Sequence, residues 1–445
     1  MNATIAFPNP LAIKRVKDVR LQTQIAVMPH IFKILSLLVY RRFPPSLTVI
    51  NIFFAPLLVC SIPADKASMK KLKMSGYNFM KRIQIAYEKI FGEALFEQNG
   101  FVSVWSLLTA LGTLHLGSNS NTRSEIQELA FSAFDSSELK APHRSLLNLT
   151  KEIAADTYED TIKVANRLYL QNDYGVLQSF QDDMEKCHLS DALEFDFGKS
   201  EEGRNSINKW VEEQTMNRID NLIPDASATK LVYSVHFYGT WKHEFDPSLT
   251  SKQDFFIVKN GVVTTTKKVD MMSRTGDFTF CRFDGLEAEI LKLDYAEGPL
   301  SMLIILPDKV TGQPDVIRHQ EEFDYASCAN KNSAEPAEIF VPKMEIKASY
   351  PTKNIFRMAG MRNVFDPNKA DLSGITKDDQ LFVDEIYHQA FLSINEEGTE
   401  ASVNRHAALG FGQKVFKVDH PFSIKIVEKK FENVLFQGVI ADPSA

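Results

Sequence analysis

Glu396-Glu397-Gly398-Thr399-Glu400-Ala401-Ser402 is the stretch on which the fold reading turns. A loosely patterned segment follows it to Val418, and then comes Asp419-His420-Pro421-Phe422. Two alternating apolar runs flank the whole, Ala390 to Asn395 and Phe422 to Val427. A polar hinge carrying a glycine, a long segment without period and a return to strand alternation describe an exposed loop tethered at both ends. Such long structureless loops are uncommon in compact domains and usually functional.

Outward from the loop, the second half of the chain reads as strands. The runs Lys230 to Trp241, Asp254 to Val258, Thr264 to Met272, Phe278 to Phe283, Ala288 to Leu293 and Leu300 to Leu306 are separated by turn signals such as Asn260-Gly261 and Asp284-Gly285. Further strands are expected at Ala337 to Ile346, Phe382 to Tyr387, Ala390 to Asn395, Phe422 to Val427 and Val434 to Ala441. The first half reads mostly as helix. Apolar residues recur at helical spacing over 74 to 98, over Ser103 to Leu116 and over Glu201 to Asn217, with one strand over Asp160 to Leu170. Helices first and strands later predict an α+β fold. No repeat or interior linker divides the chain, so residues 65–445 read as one domain. The soft prior from 445 residues alone would be two or three.

Composition is that of an ordinary globular protein, 44% hydrophobic with a net charge of −7. That balance argues against a nucleic-acid partner, whose binders usually carry a basic face. Of the four cysteines, Cys60 lies in a segment expected to be removed. Cys187, Cys281 and Cys328 then predict at least one free thiol, with buried single cysteines as the simplest reading. Upstream, Arg41-Arg42, the apolar run Leu47 to Cys60 and Ile62-Pro63-Ala64 have the order of a secretory signal. Residues 1–64 are therefore read as an N-terminal extension with a signal peptide. The competing reading, a signal anchor, is disfavoured because the run is short and broken by Asn51 and Pro56. Asn148-Leu149-Thr150 is a glycosylation sequon consistent with an extracellular protein.

Several motifs, in order, resemble the serpin family from about Gly76 to Ala441. Ser103 and Ser106 match the shutter helix, and Gly117 with Asn121-Thr122 matches the turn after it. Ile207 to Thr215, Phe237-Tyr238-Gly239-Thr240-Trp241, Ser301 to Pro307, Ala370 to Ile375, His388-Gln389-Ala390 and Gly438 each fall in place. The resemblance implies three β-sheets, about nine helices and a reactive-centre loop at 396–420, a fold-level analogy that the site residues must then support. It also implies a mechanism. A protease attacks the loop, an acyl bond forms, and the loop enters the central sheet as a new strand before hydrolysis finishes. The gain of that insertion is held behind a kinetic barrier.

The resemblance assigns hinge roles to Glu396, Glu397, Gly398, Thr399, Glu400 and Ala401, and shutter and breach roles to Ser103, Ser106, Trp241 and His388. Side chains alternate along a strand, so Thr399, Ala401, Val403, Arg405 and Ala407 would share the face that becomes buried. Arg405 departs from the small residues expected, and burying an unpaired guanidinium is costly. Tyr233 stands where the family commonly has Asn, and Val104 where it has Pro. The scissile bond stays open among Leu409, Gly410, Phe411 and Gly412, because counting from the two ends of the loop disagrees. Leu409 and Phe411 suit a chymotrypsin-like or elastase-like protease, and Lys414 is the nearest basic alternative.

No nucleophile elbow and no zinc-protease helix motif occurs, and His236 and His243 flank Trp241 without ligand spacing. Neither an enzyme nor a cofactor is expected. The expectation is a secreted, extracellular monomer without stable membrane association that traps a serine endopeptidase. The alternative is a non-inhibitory serpin acting as carrier, storage or binding protein.

Overall fold

Asp65 starts the first helix by accepting a hydrogen bond from the Ser68 amide (2.7 Å), satisfying one of the donors a helix leaves unpaired at its N-terminus. The computed structural model describes residues 63–445 apart from 93–95, 154–161, 173, 189–190, 197–199, 215–221, 223–229, 238, 284, 297, 378–380 and 397–413, and gives backbone alone for 162–166, 171, 191, 195, 200, 230–237 and 351.

The first half carries α1 (Lys66–Phe91), β1 (Gly100–Ser103), α2 (Val104–Gly117), α3 (Ser120–Ala130), α4 (Ala141–Ile153), β2 (Ile162–Gln171), α5 (Gln178–His188), β3 (Asp191–Phe195), α6 (Ser200–Gln214) and β4 (Lys230–Phe237). The second half carries β5 (Ser251–Lys259), β6 (Val262–Phe283), β7 (Ala288–Asp294), β8 (Leu300–Pro307), α7 (Gln313–His319), α8 (Tyr325–Asn330), β9 (Glu335–Pro342), β10 (Met344–Pro351), α9 (Thr352–Met358), β11 (Glu385–Ile394), β12 (Lys414–Lys417), β13 (Phe422–Glu428) and β14 (Asn433–Ile440). The α+β expectation holds, and residues 60–445 form one compact unit.

Five strands pair in the order β10-β11-β4-β2-β3. The other nine form a second network, β1-β14-β13-β8-β7-β6-β9-β12, with β5 on β6. The long β6 belongs to three ladders. Its N-terminal part pairs with β5 from Val262 to Met271, its middle with β9 from Met271 to Phe278, and its end with β7 from Thr279 to Phe283. The network therefore divides into two sheets hinged on one strand, making three in all. The polar stretch Ser273 to Asp277, expected to interrupt two strands, continues β6 in its ladder with β9, and β6 passes to the other sheet at Phe278–Thr279.

Three other expectations need correction. Ala337 to Ile346, read as one strand, is split at Lys343 between β9 and β10, which lie in different sheets. Phe382 to Tyr387 and Ala390 to Asn395, read as two strands, are one, because β11 runs through His388 and Gln389. The free-thiol expectation fails as well. Cys281 of β6 is disulfide-bonded to Cys328 of α8, Cys187 is also disulfide-bonded, and none of the described cysteines is free.

The motifs that carried the resemblance meet in space. Gly374 donates its amide to the Gly117 carbonyl (3.0 Å). A Cβ at Gly374 would lie 2.8 Å from that oxygen, so the approach needs glycine. Asn119 reinforces the junction through Asp371 O (3.0 Å) and Ser373 Oγ (2.8 Å). On the other side of the molecule, α6 lays Ile207 and Val211 against Tyr169 and Phe391, with the Arg167 guanidinium 4.1 Å from the Trp210 ring centroid.

Candidate functional site: a closed strand seam and its fastenings

The five-stranded sheet has one interior parallel pair, β11 on β4. Glu385 to Leu392 sit opposite Lys230 to Phe237 in unbroken register, so the two ladders are directly bonded with no strand between them. β11 ends at Ile394, Asn395 and Glu396 follow it, and the chain is next described in β12, which pairs in parallel with β9 in the other network. Glu397, Gly398, Thr399, Glu400 and Ala401 of the hinge, and Leu409, Gly410, Phe411 and Gly412 of the scissile window, lie outside the described residues. So does Arg405.

Midway along the seam is a polar cluster. Ser103 caps α2, its hydroxyl accepting from the Ser106 amide (3.1 Å) and donating to the Leu435 carbonyl (3.3 Å). The Ser103 amide donates to His388 Nε2 at 3.3 Å. His388, on β11, is 1% exposed and pairs in register with Tyr233 of β4. An Nε2 that accepts implies a neutral ring with its proton on Nδ1. The structure brings Ser103, Ser106 and His388, singled out in the sequence, to one place. The Tyr233 side chain lies outside the described atoms.

At the end of the seam the Trp241 indole donates to Asn395 O (2.9 Å) and stacks on Tyr295, centroids 4.8 Å apart. Glu396, the first hinge residue, is 8% exposed. Its carbonyl accepts from the Phe245 amide (3.3 Å), and its carboxylate accepts from Thr250 Oγ1 (2.8 Å) and Lys343 Nζ (2.7 Å). Burial pushes its carboxyl up, but Lys343 and Thr250 outweigh that and hold it below the ordinary value. Glu396 is thus an ionised peg that fixes the exit from β11. Its partners Thr250 and Lys343 were missed in sequence. Lys343 carried the one signal, a lone cation inside an apolar strand run.

Lys414 is occupied. It bonds Glu289 (2.6 Å) and Glu335 (2.7 Å) and lies 3.7 Å from the Phe280 ring centroid, which removes it as a displayed primary residue. Asn148 is on α4, half-buried, with its amide donating to Ala64 O (3.4 Å). Thr150 accepts from the Trp105 indole (3.2 Å). The sequon is therefore packed into a helix, contrary to the surface loop it predicts. Among the described residues, no helix is long and apolar enough to cross a membrane.

A family model described as serpin (serine protease inhibitor) matches residues 86–443. Human serpin B13 is 30% identical over 375 residues, covering 78% of this chain and 94% of the relative. Human serpin B3 is 29% identical over 374 residues, with the same coverage, and serpin B10 of Otolemur garnettii is 28% identical over 397 residues, 82% of this chain and 98% of the relative. Among solved structures, human thyroxine-binding globulin complexed with its hormone superposes with a TM-score of 0.74 at 25% identity, covering 84% of this chain and 99% of the other. Uncleaved ovalbumin superposes at 0.73 and 24%, covering 84% and 100%, which speaks to fold alone. These relatives are inhibitors or non-catalytic proteins rather than enzymes, and the chain belongs to the serpin family.

Proposed function

We propose that this protein is a secreted, monomeric inhibitor of a serine endopeptidase, with chymotrypsin-like or elastase-like specificity, that traps its target by inserting the loop 396–420 between β11 and β4. The observation that carries the reading is the direct parallel pairing of those two strands. A chain leaving β11 and folding back beside it would run antiparallel to both neighbours. One parallel interface would be exchanged for two antiparallel ones. Antiparallel pairing is slightly the more stable per residue, and each added strand satisfies a further row of backbone donors and acceptors. The gain waits behind the fastenings at His388 and Glu396. The primary specificity residue is one of Leu409, Gly410, Phe411 or Gly412.

Secretion is supported by the disulfide between Cys281 and Cys328, since such bonds persist in oxidising compartments, and by the signal-like order of residues 41–66.

A carrier or binding role is the second reading, favoured by Arg405 on the face that would be buried and by the superposition on a hormone-binding relative. One assay separates the two. Mixed with chymotrypsin, elastase and trypsin, an inhibitor yields an SDS-stable complex with one of the first two. Cleavage within 409–412 without a complex, and without a rise in melting temperature, would leave the carrier reading standing.

A further inference from the structure

Next to the Trp241 fastening, a polar cavity of about 250 Å³ opens between the strap Trp241 to Phe245, β6, β7 and the residues after α8. Four fixed cations line it: Lys242, Arg274, Lys292 and Lys331. Two carboxylates, Asp277 and Asp294, share the wall. Asp294 is already engaged by Lys429 (3.0 Å), Lys292 (3.6 Å) and the Ser301 hydroxyl, and Asp277 is exposed. Lys292 and Lys331 turn onto carbonyls, Lys331 O and Phe280 O.

Arg274 is the exception. It is half-buried, and among the described residues no carboxylate lies within ion-pair distance. Its one hydrogen bond runs from Nη1 to the His243 carbonyl at 3.3 Å, and its guanidinium lies 5.1 Å from the Phe278 ring centroid. A guanidinium carries five donors in a planar fork, so most of this one is unspent. Leaving a partly buried charge unmatched is unfavourable. The neighbouring His243 senses the same field: burial, then Arg274 and Lys242, hold its imidazole below the usual value.

We propose that this cavity is an oxyanion site, in which the Arg274 fork and the Lys242 ammonium bind a sulfate or phosphate group, free or as the terminal ester of a larger molecule. The fork matches two oxygens of such a group, and the lysine supplies a point charge to a third. The lining supplies charge and hydrogen-bond donors, so recognition is of the anionic group itself. A ligand that binds only the folded state raises its stability with saturation, and occupancy would tie the strap carrying Trp241 to β6 and β7.

The test uses the full secreted chain at fixed ionic strength. Inorganic sulfate, inorganic phosphate, a phosphomonoester and a sulfated disaccharide are titrated against a chloride series, reading melting temperature and the NMR titration of His243. The expected result is a saturable rise in melting temperature and an upward-shifted His243 titration, with binding weakened at least fivefold in Arg274→Gln and two- to fivefold in the milder, exposed Lys242→Gln. Tighter binding of the disaccharide or phosphomonoester than of the inorganic ion identifies an ester as the source, and equal binding identifies the free ion. No effect beyond chloride, or wild-type affinity in both variants, overturns the proposal.

Discussion

Two strand seams of this molecule are built differently. The seam of β8 on β13 is antiparallel, and every residue of both strands is buried. It is closed mostly by apolar packing, with Lys425, paired to Glu321 (3.0 Å), and Glu428, Ser301 and Ser423 as its buried polar residues. The seam of β11 on β4 is parallel, and its fastenings are polar and local: His388 to Ser103, Trp241 to Asn395, Glu396 to Lys343 and Thr250. Apolar burial is non-directional and comes apart only with the core. Hydrogen bonds and ion pairs at stated points can be released in sequence while the core stays intact. A seam meant to open once, on cue, is better fastened at points than sealed along its length.

The strongest blow should fall on the sealed seam. Phe422 on β13 is fully buried and meets Phe255 edge-on, so Phe422→Ala should cost about 3–5 kcal/mol of unfolding free energy. Urea melts would show it. Next comes the bond from β6 to α8. Its cysteines are 47 residues apart, a loop whose closure is worth ~4 kcal/mol in the chain-entropy account, within a usual range of about 2–4. Cys328→Ser should lower the urea midpoint accordingly, and a reductant should lower the wild-type midpoint by more than the variant's, in which only the Cys187 bond is left to reduce.

The histidine row on the helical side gives a third measurement. His115 of α2, His143 of α4 and His188 of α5 are buried and joined Nδ1 to Nε2 at 3.1 Å each. Burial lowers all three, His115 and His188 to about 4, with Arg123 facing His115 and Arg123 and Lys140 facing His143. The unfolded chain binds protons near the ordinary histidine value of about 6.5. Between there and about 4 it holds more protons than the native state, so stability falls as pH falls through that window and is fully present above it. At about 1.4 kcal/mol per unit, one such histidine accounts for a loss on the order of 3 kcal/mol. A stability profile flat from pH 7 to 4 would contradict the buried neutral row.

How much of this was legible beforehand follows from the length scale of each signal. The α+β order and the motifs at Gly117, Trp210, Trp241 and His388 could be read, because each couples residue type to a tight geometric demand. Sheet membership could not. Lys343 breaks an apolar run by one residue, and nothing local says that β9 and β10 then enter different sheets. His388 and Gln389 look like a break in β11 because they are polar, yet His388 meets the Ser103 amide and makes no turn. The helices α7, α8 and α9 are too short for their period to register. The bond from Cys281 to Cys328 was not legible because 47 residues separate its cysteines and no local spacing marks them as a pair.

The smallest thermodynamic effect should be the most telling about the point-fastened seam. Glu396→Gln keeps the shape and an acceptor for Thr250 while removing the charge that Lys343 meets. Lys343 is 47% exposed in that pair, so global stability should change by no more than about 1 kcal/mol, as for other solvent-screened pairs. If the peg guards the exit from β11, the same sum comes off the barrier to parting β11 from β4, and 1 kcal/mol there is about fivefold in rate. A synthetic peptide of residues 399–407 should then anneal into the variant about fivefold faster than into wild type, while Phe422→Ala, far more destabilised, should anneal within twofold of wild type. Equal rates in wild type and Glu396→Gln would place the gate elsewhere along the seam, at His388. A faster rate in Phe422→Ala would mean the two seams are coupled through the core, and the contrast between a sealed and a fastened seam would not hold.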